Sequence, residues 1–267
     1  IRHIYEVARG QGEVEVYHVN DRTIDQNTLT GRLSHRQQFG TLNVNLSSDF
    51  RSNSYVYAPE SESLTNRLSL TRDRPGARSS LAVNQFIDST SITRTARLSG
   101  SLKHRQDFGT SAFLDTGFDY DSSTFSGQTR ARLTSQAIYS RNTEKFDWSI
   151  SALDLTDLSD ESFVGQGQFA GVERMPGIAL MSDTARLGRA LPFELPARLR
   201  FSFGQFRELP SPDSYNRAFL SIDTPVQRHA VSRTWNLAAG GGFRQYVYDS
   251  ERAQYSLDAS AELRKTL

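Results

Sequence analysis

The sequence predicts an all-β protein: an antiparallel transmembrane β-barrel of long two-faced strands, of which these 267 residues supply a part. Three observations predict it. Apolar and polar residues alternate along most of the chain, the period of a strand with two unlike faces. The alternating runs are about 8–12 residues long, where ordinary strands have about 5–6 and a tilted bilayer-spanning strand needs about 9–11. Two of the runs also nearly repeat each other. Leu33-Ser-His-Arg-Gln-Gln-Phe-Gly40 and Leu102-Lys-His-Arg-Gln-Asp-Phe-Gly109 match at six of eight positions, 69 residues apart, as comparable hairpins of one sheet would.

Taken in chain order, Val14 and Val16 oppose Glu13 and Glu15 in 12–20, and Leu29, Gly31 and Leu33 oppose Thr30, Arg32 and Ser34 in 28–37. Leu42, Val44 and Leu46 oppose Asn43, Asn45 and Ser47 in 41–48. In 94–104, Ala96, Leu98, Gly100 and Leu102 oppose Arg97, Ser99, Ser101 and Lys103. The runs 110–120 and 128–139 continue the pattern, with Leu114 against Asp115 and Leu133 against Arg132; Phe113 and Ile138 are exceptions. Ile150 opposes Ser149 in 145–153, and Leu257 opposes Asp258 in 254–264. Weaker alternation covers 64–72, 78–88, 197–207 and 231–239. In a bilayer the apolar set (Leu98, Leu114, Leu133, Ile150, Leu257) faces lipid. The lumen-facing candidates are Arg97, Asp115, Arg130, Arg132 and Asp258.

No helix is expected, because nowhere do apolar residues recur at helical spacing between caps. No segment approaches the ~20 apolar residues of a spanning helix. Arg72-Asp-Arg-Pro-Gly76, Gln37-Gln-Phe-Gly40 and Gln106-Asp-Phe-Gly109 read as tight returns, each with Gly where a positive φ is needed. The segments 51–60 and 157–166 read as longer excursions, so short turns alternate with long loops. Pro192, Pro196, Pro210 and Pro212 belong in loops or at strand ends, because a central strand does not tolerate Pro. The chain begins at Ile1 without Met and ends Arg264-Lys-Thr-Leu267 without a terminal aromatic, and it reads as a barrel-domain fragment over 1–267.

Composition narrows the function. A net charge of +1 provides no basic field, so nucleic acid is not an expected partner. All but three of the 31 basic residues are Arg, the exceptions being Lys103, Lys145 and Lys265. Genome base composition accounts for that bias; alternatively, Arg forks pair with carboxylates and phosphates. Without Cys there is neither a disulfide framework nor thiolate chemistry. No nucleophile elbow, zinc-protease motif or P-loop occurs, so neither an enzyme nor a cofactor is predicted. Gly240-Gly-Gly242 resembles a phosphate cradle but lacks a following helix, so a bend or a close strand approach is expected. His35 and His104 occupy equivalent strand ends and need no metal. Arg94, Arg97, Arg130 and Arg132 are expected to pair across strands with Asp115 and Asp119.

Gly12-Glu-Val-Glu-Val-Tyr-His-Val-Asn-Asp-Arg22 and Arg32-Leu-Ser-His-Arg-Gln-Gln-Phe-Gly40 resemble barrel strands of the LPS-assembly outer-membrane protein family (LptD, formerly organic solvent tolerance protein). Leu42–Asp49, Ser52–Tyr57 and Val172-Glu-Arg-Met-Pro-Gly-Ile-Ala-Leu180 are similar to further segments of that family, and the likeness touches about two thirds of the chain. It implies an outer-membrane lipopolysaccharide translocon, with lipopolysaccharide and outer-membrane lipid as partners, a lipoprotein plug in the lumen, and a seam between first and last strands. The family's soluble N-terminal domain and its cysteines are absent from this sequence. Two rival readings stand beside it. One is a porin-like channel. The other is a soluble extracellular glycan-binding β protein using Tyr55, Tyr57 and Tyr215.

Overall fold

A computed structural model describes residues 1–23, 25–55, 59–159, 171–188, 196–209, 211–232 and 234–265. Tyr57, Pro192, Pro210 and most of the 157–166 excursion lie outside these. Among the described residues there is no helix. There are fifteen strands: β1 (Arg2–Val7), β2 (Gly10–Asp21), β3 (Gln26–Phe39), β4 (Leu42–Tyr55), β5 (Ser61–Arg74), β6 (Ala77–Thr90), β7 (Arg94–Phe108), β8 (Ala112–Phe125), β9 (Gln128–Asn142), β10 (Asp147–Asp157), β11 (Gly171–Asp183), β12 (Arg198–Leu209), β13 (Ser214–Ala230), β14 (Trp235–Tyr248) and β15 (Ala253–Lys265). Each is hydrogen-bonded to the next in sequence order, an up-and-down antiparallel sheet. The fold is therefore the all-β meander of long strands that the alternation predicts. Eleven of the twelve alternating runs lie on strands over nearly their whole length, and 231–239 does so from Trp235 onward.

The turns obey backbone chemistry. Gly40, Gly76 and Gly109 have φ of 59°, 73° and 73°, so the three predicted tight returns are made where only Gly is comfortable. The 51–60 excursion is shorter than predicted. Arg51–Tyr55 continue β4, because Arg51 and Asn53 still find cross-strand partners in Ser63 and Ser61. Two prolines also sit inside strands. Pro176 lies where the β11–β12 register shifts between Arg174 and Gly177, and Pro225 where β13–β14 shifts between Thr224 and Gln227. A bulge needs no ladder N–H at the extra residue, which is how these strands admit Pro.

The chain divides into two compact units. The first comprises Ile1–Asp107, Leu114–Gln136 and the described residues of Leu155–Phe169; the second comprises Phe108–Phe113, Ala137–Asp154 and the described residues of Ala170–Leu267. In the first, four successive cross-strand rows over β4–β6 form an outer band: Val44–Leu70–Leu81, Leu46–Leu68–Val83, Ser48–Asn66–Gln85 and Phe50–Leu64–Ile87. Rows containing Arg72 and Glu62 bound it. At about 6.8 Å per row the band is about 20 Å tall, close to the apolar belt of a membrane barrel. In the second unit the corresponding face carries Trp148, Leu180, Phe201 and Leu220 in one row and Ile150, Ile178, Phe203 and Ala218 in the next.

These side chains have no second layer to pack against. Among the described residues only Ala112, Ala131, Ala197 and Phe206 are buried apolar residues. Leu98, Leu102, Ile178, Phe201 and Phe203 stay exposed. A water-soluble chain this long would hide such residues in a core, whereas an apolar face left open over many strands suits contact with lipid.

Candidate functional site

The opposite face is polar, and the candidate site lies there. In the first unit each residue next to an outward apolar one projects onto this face: Glu13, Arg32, Arg36, Asn45, Asp49, Arg67 and Asn84. Neighbouring strands supply their partners. Arg32 Nε donates to Asp49 (2.8 Å), Arg36 Nε donates to Asn45 (2.9 Å), and Arg2 pairs with Glu13. Arg67 stands in register between Ser47 and Asn84 and forms no ion pair among the described residues. Together Glu13, Arg36, Asn45, Arg67, Ser69 and Asn84 line a cleft of about 650 Å³. A second cleft of about 260 Å³ opens farther along the same face between Ser99, Asp119, Asp121, Arg132 and Thr134. The sheet of this unit is thus concave on its polar side. Its wall presents amide, hydroxyl, guanidinium and carboxylate groups in mixed sign, a surface for water and polar solutes.

Of the predicted lumen candidates, Arg97, Asp115, Arg130 and Arg132 belong to this unit's polar side, but not as one cluster. Arg97 is in register with Phe86, an aromatic exception on the polar side. Asp115 meets Arg105 (Nη1–Oδ2 3.6 Å), not the predicted Arg97, Arg130 or Arg132. Arg132 joins Asp119 in the second cleft, and Arg130, two residues earlier on β9, shares its face. Arg94 does not join the expected pairing with Asp115 and Asp119, because three residues separate it from Arg97 and put it on the other face, opposite Ser89. Asp258 belongs to the second unit, where it lines a cleft of about 300 Å³ with Arg198 and Asp223. A Cβ on Gly242 would lie 2.7 Å from Asp223 Oδ1 and 3.1 Å from Asp258 Oδ1, so the glycine makes room for both carboxylates. Gly240 lies under the Val226 backbone at the β13 bulge. The triple glycine is therefore a close strand approach, as its flanking runs predict.

Several side chains that shape the site escaped the alternation. On the polar face of the second unit Phe206 is buried although it faces away from the apolar side. The Arg217 guanidinium lies 4.1 Å from its ring centre and Arg174 5.5 Å, with the Tyr215 ring stacked 6.0 Å away. Gly177 and Gly204 leave the space that Arg174 and Phe206 fold into. On the apolar side of the first unit, in the row of Leu46, the Tyr5 ring covers Gly12, and its hydroxyl meets His35 Nδ1 at 3.1 Å, while His35 Nε2 meets Gln37 Oε1 at 3.1 Å. His104, the repeat partner of His35, is bonded through Nδ1 to Ser79 Oγ at 2.8 Å. Both histidines are therefore held by neutral cross-strand groups. Among the described residues no three His, Asp or Glu converge on a metal position. Outside the strands, Arg186 reaches both carboxylate oxygens of Asp147 at 2.8 Å, which holds its guanidinium above the usual pKa and ties its turn to the β9–β10 hairpin.

No protein-family model matches the chain, and no curated relative does. Solved structures similar to it include CdiB from Acinetobacter baumannii, at 12% identity and TM-score 0.39 over 96% of this chain and 54% of that one. Pseudomonas aeruginosa OccD3 is 9% identical with TM-score 0.37, covering 98% and 76% of the two chains. The KdgM porin is 7% identical with TM-score 0.26, covering 76% and 92%. The chain spans about half the length of CdiB. TM-scores this low assign no function.

Proposed function

We propose that this chain is a segment of an outer-membrane β-barrel whose polar face lines a water-filled passage for small polar solutes. The observation that carries the reading is the division between faces. An open apolar band about 20 Å tall backs a concave polar wall holding clefts of about 650 and 260 Å³. Charges of both signs line that wall, so the passage suits neutral, hydrated solutes better than one class of ion. Arg67, which forms no ion pair among the described residues, adds positive charge to this stretch of the wall. The full-length protein in a planar bilayer is expected to conduct steadily, and Arg67→Glu to move the reversal potential toward cation preference. No conductance, or a reversal potential unmoved by Arg67→Glu, would remove the channel role.

A second reading rests on Arg36 and Arg67 lining one cleft, since guanidinium forks suit phosphate. It is insertion of lipopolysaccharide into the outer leaflet, with a lipoprotein occupying the lumen. Depleting the full-length gene then lowers surface lipopolysaccharide, and the purified protein carries a plug and conducts poorly. Unchanged surface lipopolysaccharide with steady conductance would leave only the channel.

A further inference from the structure

The third row of the apolar band in the first unit is not apolar. Ser48, Asn66 and Gln85 stand side by side on β4, β5 and β6, facing the same way as the leucines. Ser48 Oγ donates to Asn66 Oδ1 (2.7 Å), and Asn66 Nδ2 donates to Gln85 Oε1 (3.0 Å). Leu46, Leu68 and Val83 flank this ladder on one side and Phe50, Leu64 and Ile87 on the other. It falls near the middle of all three strands, so in a bilayer it lies far from both headgroup layers.

The internal bonds do not use up the ladder's polarity. Each side-chain amide has two N–H donors and an oxygen with two lone pairs. Asn66 therefore keeps one N–H and one lone pair, and Gln85 keeps both N–H groups; neither finds another partner among the described residues. Hydrocarbon can satisfy none of these, so leaving them against lipid carries a cost that burial in protein removes.

The geometry points to a homodimer contact: two copies meet through β4–β6, with a two-fold axis along the membrane normal passing through Asn66. The inference rests on the membrane reading above. The ladder itself selects a second copy, because Asn66 offers one donor and one acceptor. Two asparagines related by a two-fold axis exchange both as a reciprocal amide pair, each N–H meeting the partner's oxygen. Rotation about the membrane normal keeps both at one depth, which a copy inserted in the same direction requires, and the interface is self-complementary. The free N–H groups of Gln85 then turn into the contact instead of into lipid. The ladder spans three strands, about 10 Å, enough for the centre of a contact between two sheets whose apolar faces meet. Neighbouring leucines and Phe50 supply the surrounding packing.

The test uses full-length protein in detergent and in proteoliposomes; with no native Cys in this chain, single cysteines give clean probes. The particle mass is expected to be two chains for the natural sequence and one for Asn66→Leu, a replacement that suits lipid and so leaves folding intact. Asn66→Cys treated with a short bis-maleimide should give a covalent dimer. Leu98→Cys, in the same row but two strands away, should give several-fold less. A one-chain particle, or cross-linking no stronger at Asn66 than at Leu98, overturns the dimer; so does a larger ring, in which Asn66 would face a different residue. A nitroxide on Leu98→Cys separates this failure from that of the membrane reading. Collision with dissolved oxygen and not with a water-soluble relaxer leaves the membrane reading standing. Collision with the water-soluble relaxer removes both.

Discussion

The two units obey the period of two to different degrees, and the difference shows what a bulge does to a two-faced strand. In the first, β1–β7 pair residue for residue with no register shift. Its outer band is mostly aliphatic, and its polar wall holds paired charges around open clefts. The second unit shifts register between Ser151 and Leu153, between Arg174 and Gly177, and between Thr224 and Gln227. Each shift inserts residues that alternation does not count, so side chains beyond it change face. On β11 the shift brings Arg174 onto the polar side opposite Leu153 and Phe206, where Phe206, Tyr215, Phe219 and Tyr246, placed there by the parity of their own strands, fill that side with rings. Where the strands are regular the polar wall is open; where they are bulged, aromatics and Arg pack it.

That contrast can be broken most forcefully at Phe206. Truncating it to Ala removes a buried ring held by two guanidiniums and should cost about 3–5 kcal/mol of unfolding free energy. Urea unfolding from micelles measures it, and a loss below about 1 kcal/mol would show that the bulged wall is not packed around this ring. In the regular unit the comparable penalty lies on the outer side. Leu68→Arg, near the middle of the apolar band, should cost about 2–4 kcal/mol, while Arg67→Leu one residue away costs much less. Equal effects would count against the facing.

A smaller contrast lies between two glycines of the first unit. Gly12→Ala drives a methyl into the Tyr5 ring and should cost about 1–3 kcal/mol, with loss of the Tyr5–His35 contact. At Gly31 the nearest atom to an added Cβ is 3.8 Å away, so Gly31→Ala is tolerated and gains up to about 1 kcal/mol from restricting the unfolded chain. Thermal melts of the two variants side by side check this; melting points that move together would sink the account of Gly12. The smallest effect belongs to exposed ion pairs. Asp115→Asn should change stability by less than about 1 kcal/mol, because Arg105 and Asp115 are both half-exposed at 3.6 Å.

The sequence made the faces legible wherever alternation ran unbroken, and for this reason each of the twelve runs overlaps a strand. Three strands escaped it. β1 is six residues long, too short to show a period, while β11 and β13 contain Pro176 and Pro225 at bulges that break it. Parity alone places the lumen candidates on the polar side of their strands, but it does not give their partners. Asp115 meets Arg105 because neighbouring strands are offset along their axes, and a single strand's pattern carries no information about that offset. The Ser48–Asn66–Gln85 ladder left a trace in the sequence, since Ser48 occupies the place where Leu42, Val44 and Leu46 predict another aliphatic residue. Only the register shows that Asn66 and Gln85 break their own patterns at the same height.

The central claim is that one face of these strands meets lipid and the other water, and β7 tests it within a single regular strand. Single cysteines from Thr95 to Leu102 in the full-length protein, reconstituted in proteoliposomes, are treated with a charged, membrane-impermeant maleimide and with a lipid-soluble one. Cysteines at Thr95, Arg97, Ser99 and Ser101 should react with the charged reagent, and those at Ala96, Leu98, Gly100 and Leu102 with the lipid-soluble reagent alone. Uniform labelling along β7, or the charged reagent reaching Leu98 as readily as Ser99, would contradict the assignment of the two faces.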